Sequence, residues 1–194
     1  ILVSLSSSRK LEQENYKTYQ QMTNQIGTVF SEYIFRTDQT LRSVDNSLAI
    51  PQLLRNEIIV TIGLEPDIHF LKDNAYSALK QLADTNSSIY ALTVITLSGD
   101  SVSCVERNRD TFLEDINSDY YAPLRNSTGD TVVLPIKESR YAGAMSKNVF
   151  TIGCRYLDSS GYTGYIIAEC PVEKFEEFCS FVELDPEMNI YILD

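Results

Sequence analysis

The chain has 194 residues, a length that fits one domain, or one domain with an appended element. It carries 16 Lys and Arg residues against 27 Asp and Glu residues, and the resulting net charge of −11 disfavours binding to a nucleic acid. Hydrophobic residues make up 43% of the sequence and charged residues 22%, close to globular averages, so we expect a folded chain rather than a disordered one.

Histidine and cysteine, which build many catalytic and metal sites, are scarce. The only histidine is His69, in a hydrophobic loop context, and we assign it no role. A single histidine excludes any site that needs two imidazoles from this chain, and it excludes Ser-His-Asp chemistry unless His69 serves it. The four cysteines, at positions 104, 154, 170 and 179, form no C-x-x-C pair. Because three of them lie in apolar strand-like runs, we expect free buried thiols. We also predict that the chain has no metal, no cofactor and no catalytic residue.

The N-terminal part of the chain has the pattern of a long helix, predicted over residues 1–54. Between Leu11 and Leu54 the only helix-breaking residues are Gly27 and Pro51, and apolar residues recur at spacings of three and four. A helix of about forty residues is about 60 Å long, wider than a single core. Its early half should therefore project beyond the domain or pack against a second copy. The alternative is two shorter helices that break near residues 37–38.

The first five residues are mostly aliphatic and a polar segment follows them. No stretch reaches the 18 or more apolar residues of a membrane span. The aliphatic run fits either the outer end of a transmembrane helix or an ordinary N-terminus, and these residues alone do not separate the two.

Strand patterns dominate the rest of the chain. Five segments are predicted as strands, at 89–97, 101–105, 131–136, 148–157 and 162–170. Turn residues at 98–100 and 158–161 join four of them into two hairpins. A short amphipathic helix precedes the sheet, and Pro171 opens a closing helix at a position where its missing N–H costs nothing. The prediction is an α+β fold, with a long N-terminal helix and a PAS-like five-stranded antiparallel sheet flanked by helices.

Two segments resemble a known family. The run Asn148-Val149-Phe150-Thr151-Ile152-Gly153, followed by residues 164–175, is similar to the last two strands and closing helix of Cache domains. These are extracytoplasmic sensor modules of bacterial histidine kinases, chemoreceptors and cyclic-dinucleotide enzymes. The resemblance covers nearly the whole chain. It implies the membrane-distal part of a double Cache sensor, with the sensor module at 55–182 and the first strand of a membrane-proximal module within 183–194.

The resemblance also implies a ligand site between the middle loop and the sheet. Amino-acid-binding members carry an Arg two residues before a Trp-Tyr pair, then a Pro-Tyr-x-Asp segment, then an Asp that ends the last strand. Here Tyr120 and Tyr121 stand at the aromatic pair, Ser118 replaces the Arg, and Glu138 and Glu169 replace the two Asp residues. The carboxylate clamp is missing and both acids are one methylene longer. An α-amino acid is therefore not the expected ligand.

The residue types themselves suggest an amine. Glu138 and Glu169 would form an anionic pole near Tyr120 and Tyr121, and aromatic faces attract cations. The alternative for these side chains is structural, because strand-end glutamates are often solvated and paired tyrosines often serve packing.

Two arginines at the exit of the second strand are further candidates. Arg107 and Arg109 could supply a partner for a ligand carboxylate, although charged residues just after a strand are mostly solvated. We rank them below the tyrosines.

The resulting prediction is a non-enzymatic sensor, the extracytoplasmic part of a bacterial cell-membrane receptor of the histidine kinase type. A small molecule, amine-bearing in the leading hypothesis, would shift the sheet and closing helix and so signal across the membrane. The same head could serve a chemoreceptor or a diguanylate cyclase. We expect flanking transmembrane helices and a homodimer through the N-terminal helix, whose 3-4 repeat favours a partner helix.

Two rival classes stay open at this stage. One is an acid-based hydrolase that uses Glu138 and Glu169 as paired carboxylates. The other is a structural or partner-binding surface module without a small ligand. An enclosed, partly polar cavity between loop and sheet would favour the sensor, since a structural module fills that space with side chains.

Overall fold

The computed structural model describes residues 2–61, 68–158 and 161–179, with side chains at 16–44, 46–55, 68–157, 161, 164–177 and 179. The predicted first strand of a second module, within 183–194, lies outside the described residues. The division of the chain at residues 54 and 182 stays a prediction.

Five helices are described. They are α1 (Leu2–Arg42), α2 (Ala49–Thr61), α3 (Ile68–Thr85), α4 (Ala122–Asn126) and α5 (Val172–Cys179). None of the helices described is both long enough and apolar enough to cross a lipid bilayer.

The first helix ends earlier than predicted. A 3-10 turn at Ser43–Asn46 follows α1, and Ser47 takes an extended backbone conformation. The Ser47 hydroxyl accepts a hydrogen bond from the backbone N–H of Ala49 at 3.3 Å, as at a helix start. Pro51 then falls in the first turn of α2, where it has no helical donor to lose. The prediction of one helix through residue 54 is therefore wrong, and so is the alternative break near residues 37–38.

One antiparallel sheet forms the centre of the fold. Its strands are β1 (Ala91–Thr96), β2 (Ser101–Val105), β3 (Asn108–Asp110), β4 (Val132–Glu138), β5 (Asn148–Asp158) and β6 (Gly161–Pro171). Their order across the sheet is β3-β2-β1-β6-β5-β4, so β6 is central and β4 is an edge. The five predicted strands are confirmed. The number five is wrong, because β3 adds a polar three-residue edge strand too short to leave a sequence pattern.

One face of the sheet, here called the helix face, packs on helices α1, α2, α3 and α5. Its strand residues include Leu92, Ile152 and Ala168, which share a hydrophobic core with Tyr33 and Leu79. On α1 the side chains of residues 16–21 are exposed and burial begins further along. Among the described side chains of this 41-residue helix, contact with the hydrophobic core begins at Met22 and Ile26.

The opposite face, here called the loop face, is covered by residues 111–126 and 139–145. Ala91, Val149 and Ile167 point from the sheet into this second core, where Phe112 and Tyr121 meet them. The candidate site lies in this layer, between the covering segments and strands β4 to β6.

The four cysteines are buried thiols that form no disulfide, as predicted. Burial raises the pKa of Cys170 to about 12, although hydrogen bonds to Thr37 and Tyr33 oppose the shift. This thiol is therefore protonated at neutral pH and acts as a small core residue.

Candidate functional site

A fully buried carboxylate marks the centre of the loop face. Glu169 lies on β6, paired with Ala91 of β1 on one side and Thr151 of β5 on the other. Its exposed fraction is 0%. Strand alternation places it on the same face as Ile167. A carboxylate at this position costs free energy unless a partner compensates for its lost hydration.

Lys137 of β4 supplies that partner. Its Nζ lies 2.9 Å from Oε1 of Glu169 and also forms an ion pair with Glu114 of the covering segment. The Lys137 side chain is only 14% exposed and that of Glu114 only 13%. Both oxygens of Glu169 are buried and neither accepts a hydrogen bond from a described residue, although Oε1 has the ion pair with Lys137. One ammonium therefore serves two carboxylates, and Oε2 of Glu169 has neither a hydrogen bond nor an ion pair among the described residues.

Two tyrosine rings complete the surroundings of this ammonium. The Lys137 Nζ lies 5.2 Å from the ring centroid of Tyr120 and 5.5 Å from that of Tyr121, within cation–π range. The two rings are nearly perpendicular, with centroids 4.8 Å apart. We call Glu114, Tyr120, Tyr121 and Glu169 the ammonium cage.

Hydrogen bonds hold the tyrosines in place. The Tyr121 hydroxyl donates to Oε2 of Glu114 at 2.7 Å. The Tyr120 hydroxyl donates to the carbonyl oxygen of Pro135 at 2.8 Å and lies 3.2 Å from the Thr151 hydroxyl. The cage is thus built by the covering segment and by strands β4, β5 and β6 together.

Burial controls the protonation of the cage. It raises the pKa of Glu169, and the charge of Lys137 opposes the shift. Burial also raises the pKa values of Tyr120 and Tyr121 well above the ordinary tyrosine range, helped in Tyr121 by the neighbouring Glu114. Both phenols are therefore neutral hydrogen-bond donors at physiological pH.

An open cleft of about 380 Å³ lies next to the cage. It is lined by Leu113, Glu114, Asp115, Ser118, Tyr120, Lys137, Glu138 and Arg140. Three acids and two bases line it, and the carboxylate of Glu169 lies behind Lys137. The space over Glu169 is filled by the lysine, so this cleft is not the enclosed cavity expected of a sensor. Among the described side chains no group of three or more His, Cys, Asp or Glu could hold a metal ion.

The structure brings together three of the predicted site residues. Glu169, Tyr120 and Tyr121 meet in the cage, whereas Glu138 is exposed and only lines the cleft. The expected pole of Glu138 and Glu169 is therefore replaced by Glu114 and Glu169 around Lys137. The sequence analysis missed Glu114 and Lys137. Lys137 had one signal, its position in the Pro135–Glu138 segment next to the candidate Glu138, and Glu114 had none.

Arg107 and Arg109 do not lie at the cleft. Nε of Arg107 lies 3.1 Å from Oδ1 of Asp84, and Arg109 pairs with Asp73, both acids being on α3. The cause is the tight turn between β2 and β3, in which Glu106 and Arg107 have φ values of 46° and 67°. This turn directs β3 back along β2 and both arginines toward α3, on the helix face.

The buried carboxylate predicts a pH dependence of stability. Because the Glu169 pKa is raised in the fold, its protonated form stabilises the protein fully below the unfolded pKa, and this contribution is lost as the pH rises through the folded pKa. Glu169→Gln removes this titration. The free energy of unfolding of the variant, minus that of the wild type, should therefore increase from about pH 4.3 upward and then level off.

Urea unfolding between pH 4 and 8 measures this difference. The matched control is Glu173→Gln, the same substitution at an exposed glutamate on α5, and the increase found for Glu169→Gln should exceed the one found for this control. A flat difference curve for Glu169→Gln would contradict the assignment of Glu169 as a carboxyl group whose charge the fold disfavours.

Comparison with known proteins adds evidence on the fold. No protein-family model matches the chain, and no curated protein sequence matches it significantly. The periplasmic sensory domain of the Campylobacter jejuni chemoreceptor Tlp1 matches with a TM-score of 0.55 and 10% identity, over 79% of this chain and 59% of that one. A methyl-accepting chemotaxis protein X matches with a TM-score of 0.50 and 11% identity, over 80% and 67%.

A third structure is the ligand-binding domain of the C. jejuni chemoreceptor Tlp3 in complex with L-norvaline. It gives a TM-score of 0.49 and 14% identity over 84% of this chain, and this chain spans 63% of its length. At such identities the first two matches show a shared fold and leave the ligand open. The α+β prediction, with a long N-terminal helix and an antiparallel sheet flanked by helices, is confirmed.

Proposed function

We propose that this chain is the ligand-sensing part of an extracytoplasmic receptor domain, and that its ligand binds at the cleft and cage on the loop face. The head itself is not an enzyme in this proposal. It binds a small molecule and passes a conformational change to the rest of the receptor.

The observation that carries the proposal is the buried Glu169, whose two oxygens accept no hydrogen bond from a described residue. A central strand gains nothing in stability from a carboxylate here, since an apolar replacement for a buried ion pair is often neutral or stabilising. Buried groups with imperfect partners concentrate at binding sites. The adjoining cleft gives a small molecule access to the lysine that covers this carboxylate.

The fold offers a short route from this site to the long helix. β6 ends at Pro171, and α5 begins at the next residue, so a shift at Glu169 reaches α5 directly. On α5, the ring of Phe175 packs 5.2 Å from Phe30 and 6.1 Å from Tyr33, both on α1. In the proposed receptor, α1 leads to the membrane, so β6 and α5 connect the site on the loop face with the helix that carries the signal on the helix face.

The cytoplasmic output is a further part of the proposal. The sequence analysis favours a histidine kinase, whereas the structures matched above are all from chemoreceptors. We therefore infer that a chemoreceptor-type output is supported at least as well as a histidine kinase. Flanking transmembrane helices and a homodimer along α1 complete the proposed receptor, and the exposed Tyr16 and Tyr19 on the early half of α1 are available to a second copy.

The rival classes have less support. A hydrolase with Glu138 and Glu169 as paired carboxylates conflicts with the geometry, because Lys137 covers Glu169 and Glu138 faces solvent. A purely structural module is consistent with the filled space over Glu169. It does not explain why the buried groups there, Glu114, Lys137 and Glu169, are charged.

A thermal-shift screen of this chain against amines, amino acids, carboxylates and sugars tests the function. A ligand at 100 times its dissociation constant adds about 2.7 kcal/mol, which corresponds to a rise in melting temperature of roughly 5 to 10 °C. We expect at least one hit, lost in Glu169→Gln and kept in Glu173→Gln. If no compound shifts the wild type, a structural or partner-binding module is the better reading.

A further inference from the structure

We propose that the ammonium cage is a site for a primary ammonium group, that Lys137 is its built-in occupant, and that an external primary amine binds by replacing Lys137. The inference rests on the proposed function and names its ligand class. It differs from the sequence-based expectation, in which the anionic pole lay empty and waited for a ligand.

The cage contains the groups that bind an ammonium ion. Two carboxylates and two aromatic faces converge on the single Nζ of Lys137. The 2.9 Å approach to Glu169 is a distance that an N–H group reaches and that an N-methyl group would prevent. The cage should therefore prefer a primary ammonium to a quaternary one.

The cage also offers more than Lys137 uses. Oε2 of Glu169 is buried without a hydrogen-bond donor among the described residues. A free ammonium compound can adopt the position that satisfies both oxygens, whereas Nζ is restricted by its own backbone. This unpaired oxygen is the second observation, independent of the charges, that points to a ligand.

The backbone that carries Lys137 is suited to release it. β4 is an edge strand, and its register with β5 shifts between Leu134 and Lys137, as at a β-bulge. Lys137 lines the open cleft directly, so its side chain has a path out of the cage. Exchange of one ammonium for another leaves the charge of the cage unchanged. At the entrance Asp115 and Glu138 outnumber Arg140, so the approach favours a cation.

The test is chemical rescue of Lys137→Ala. This substitution removes three carbons and the nitrogen, the atoms of n-propylammonium, and leaves Glu169 buried without its cation. We expect the melting temperature of the variant to fall by roughly 6 °C or more and to recover in n-propylammonium chloride. n-Propanol with sodium chloride at the same ionic strength should give no recovery, and neither should tetramethylammonium chloride.

A matched pair of variants locates the effect. Lys174→Ala removes an exposed lysine on α5 that pairs with Glu177, and the amine should not change its melting temperature. The double variant Lys137→Ala, Glu169→Gln should lose the rescue. The wild type should need more amine than Lys137→Ala for an equal shift, since the tethered lysine competes at an effective concentration of about millimolar or higher.

A second measurement covers the case in which Lys137→Ala does not fold. The ε-methylene of Lys137 lies beside two tyrosine rings, so its NMR signals should be ring-shifted in the wild type and assignable through Lys137→Arg. Addition of n-propylammonium should move these signals toward the values of a solvent-exposed lysine, and n-propanol should not.

Failure of this inference can be distinguished from failure of the proposed function. If n-propanol rescues Lys137→Ala as well as the amine does, or if the Lys137 signals stay in place, the ammonium exchange is overturned, while a hit in the screen would still support sensing. If rescue succeeds but no amine shifts the wild type at any concentration, Lys137 holds the cage permanently. The exchange is then overturned, and the sensing function with it unless a compound of another class is a hit.

Discussion

Replacement of Phe150 by alanine should lower the free energy of unfolding by about 3 to 5 kcal/mol. Phe150 is 5% exposed on β5, and its ring contacts three other rings. The centroid distances are 5.8 Å to Phe30, 5.5 Å to Tyr33 and 6.5 Å to Phe175. The substitution opens a cavity where α1, the sheet and α5 meet, so it should weaken all three attachments.

Equilibrium unfolding in urea, followed by circular dichroism, measures this loss. The control is Phe35→Ala, the same substitution at a position on α1 that is 59% exposed, which should change stability by about 0.5 kcal/mol or less. Equal losses for the two variants would mean that the aromatic cluster does not hold α1 to the sheet. The proposed route from β6 to α1 would then lack its physical connection.

Tyr121→Ala is the second substitution with a large expected cost, again about 3 to 5 kcal/mol. The Tyr121 side chain is fully buried, its ring lies 6.3 Å from that of Phe112, and its hydroxyl donates to Glu114. Tyr121→Phe keeps the ring and removes only this charge-assisted hydrogen bond, so it should cost about 1.5 to 3 kcal/mol.

Urea unfolding of the two variants separates packing from hydrogen bonding. If both lose the same free energy, the ring itself contributes little and the described packing under residues 111–126 is contradicted. Because Tyr121→Ala perturbs the core, it is a poor probe of ligand contact. Tyr120→Phe is the better one, since Tyr120 is only partly buried and lines the cleft.

Most of the architecture follows from periodicity and turn residues. The two long strands β5 and β6 and the β1–β2 hairpin could be predicted because β-branched and aromatic runs stand between strong turn signals. The break between α1 and α2 could not be predicted, because the segment from Arg42 to Ser47 contains neither Gly nor Pro. The side-chain hydrogen bond at the break is made by one serine hydroxyl, that of Ser47. Pro51, read as the end of a helix, lies instead near the start of one.

The site was only half predictable, and the reason lies in β4. Strict alternation puts Leu134, Ile136 and Glu138 on one face and Lys137 on the other. The irregular register between Leu134 and Lys137 turns Lys137 inward and Glu138 outward. No residue pattern marks this shift. Glu169, on the regular strand β6, followed the alternation and was found in its expected place.

The central claim is that Glu169 forms the base of a ligand site. The measurement that tests it most directly is calorimetric titration of the strongest compound from the screen into the wild type, Glu169→Gln and Glu173→Gln. We predict that Glu169→Gln binds at least about tenfold more weakly, a loss of about 1.4 kcal/mol or more, and that Glu173→Gln binds like the wild type. Equal affinity for all three proteins would contradict the claim and place the ligand elsewhere.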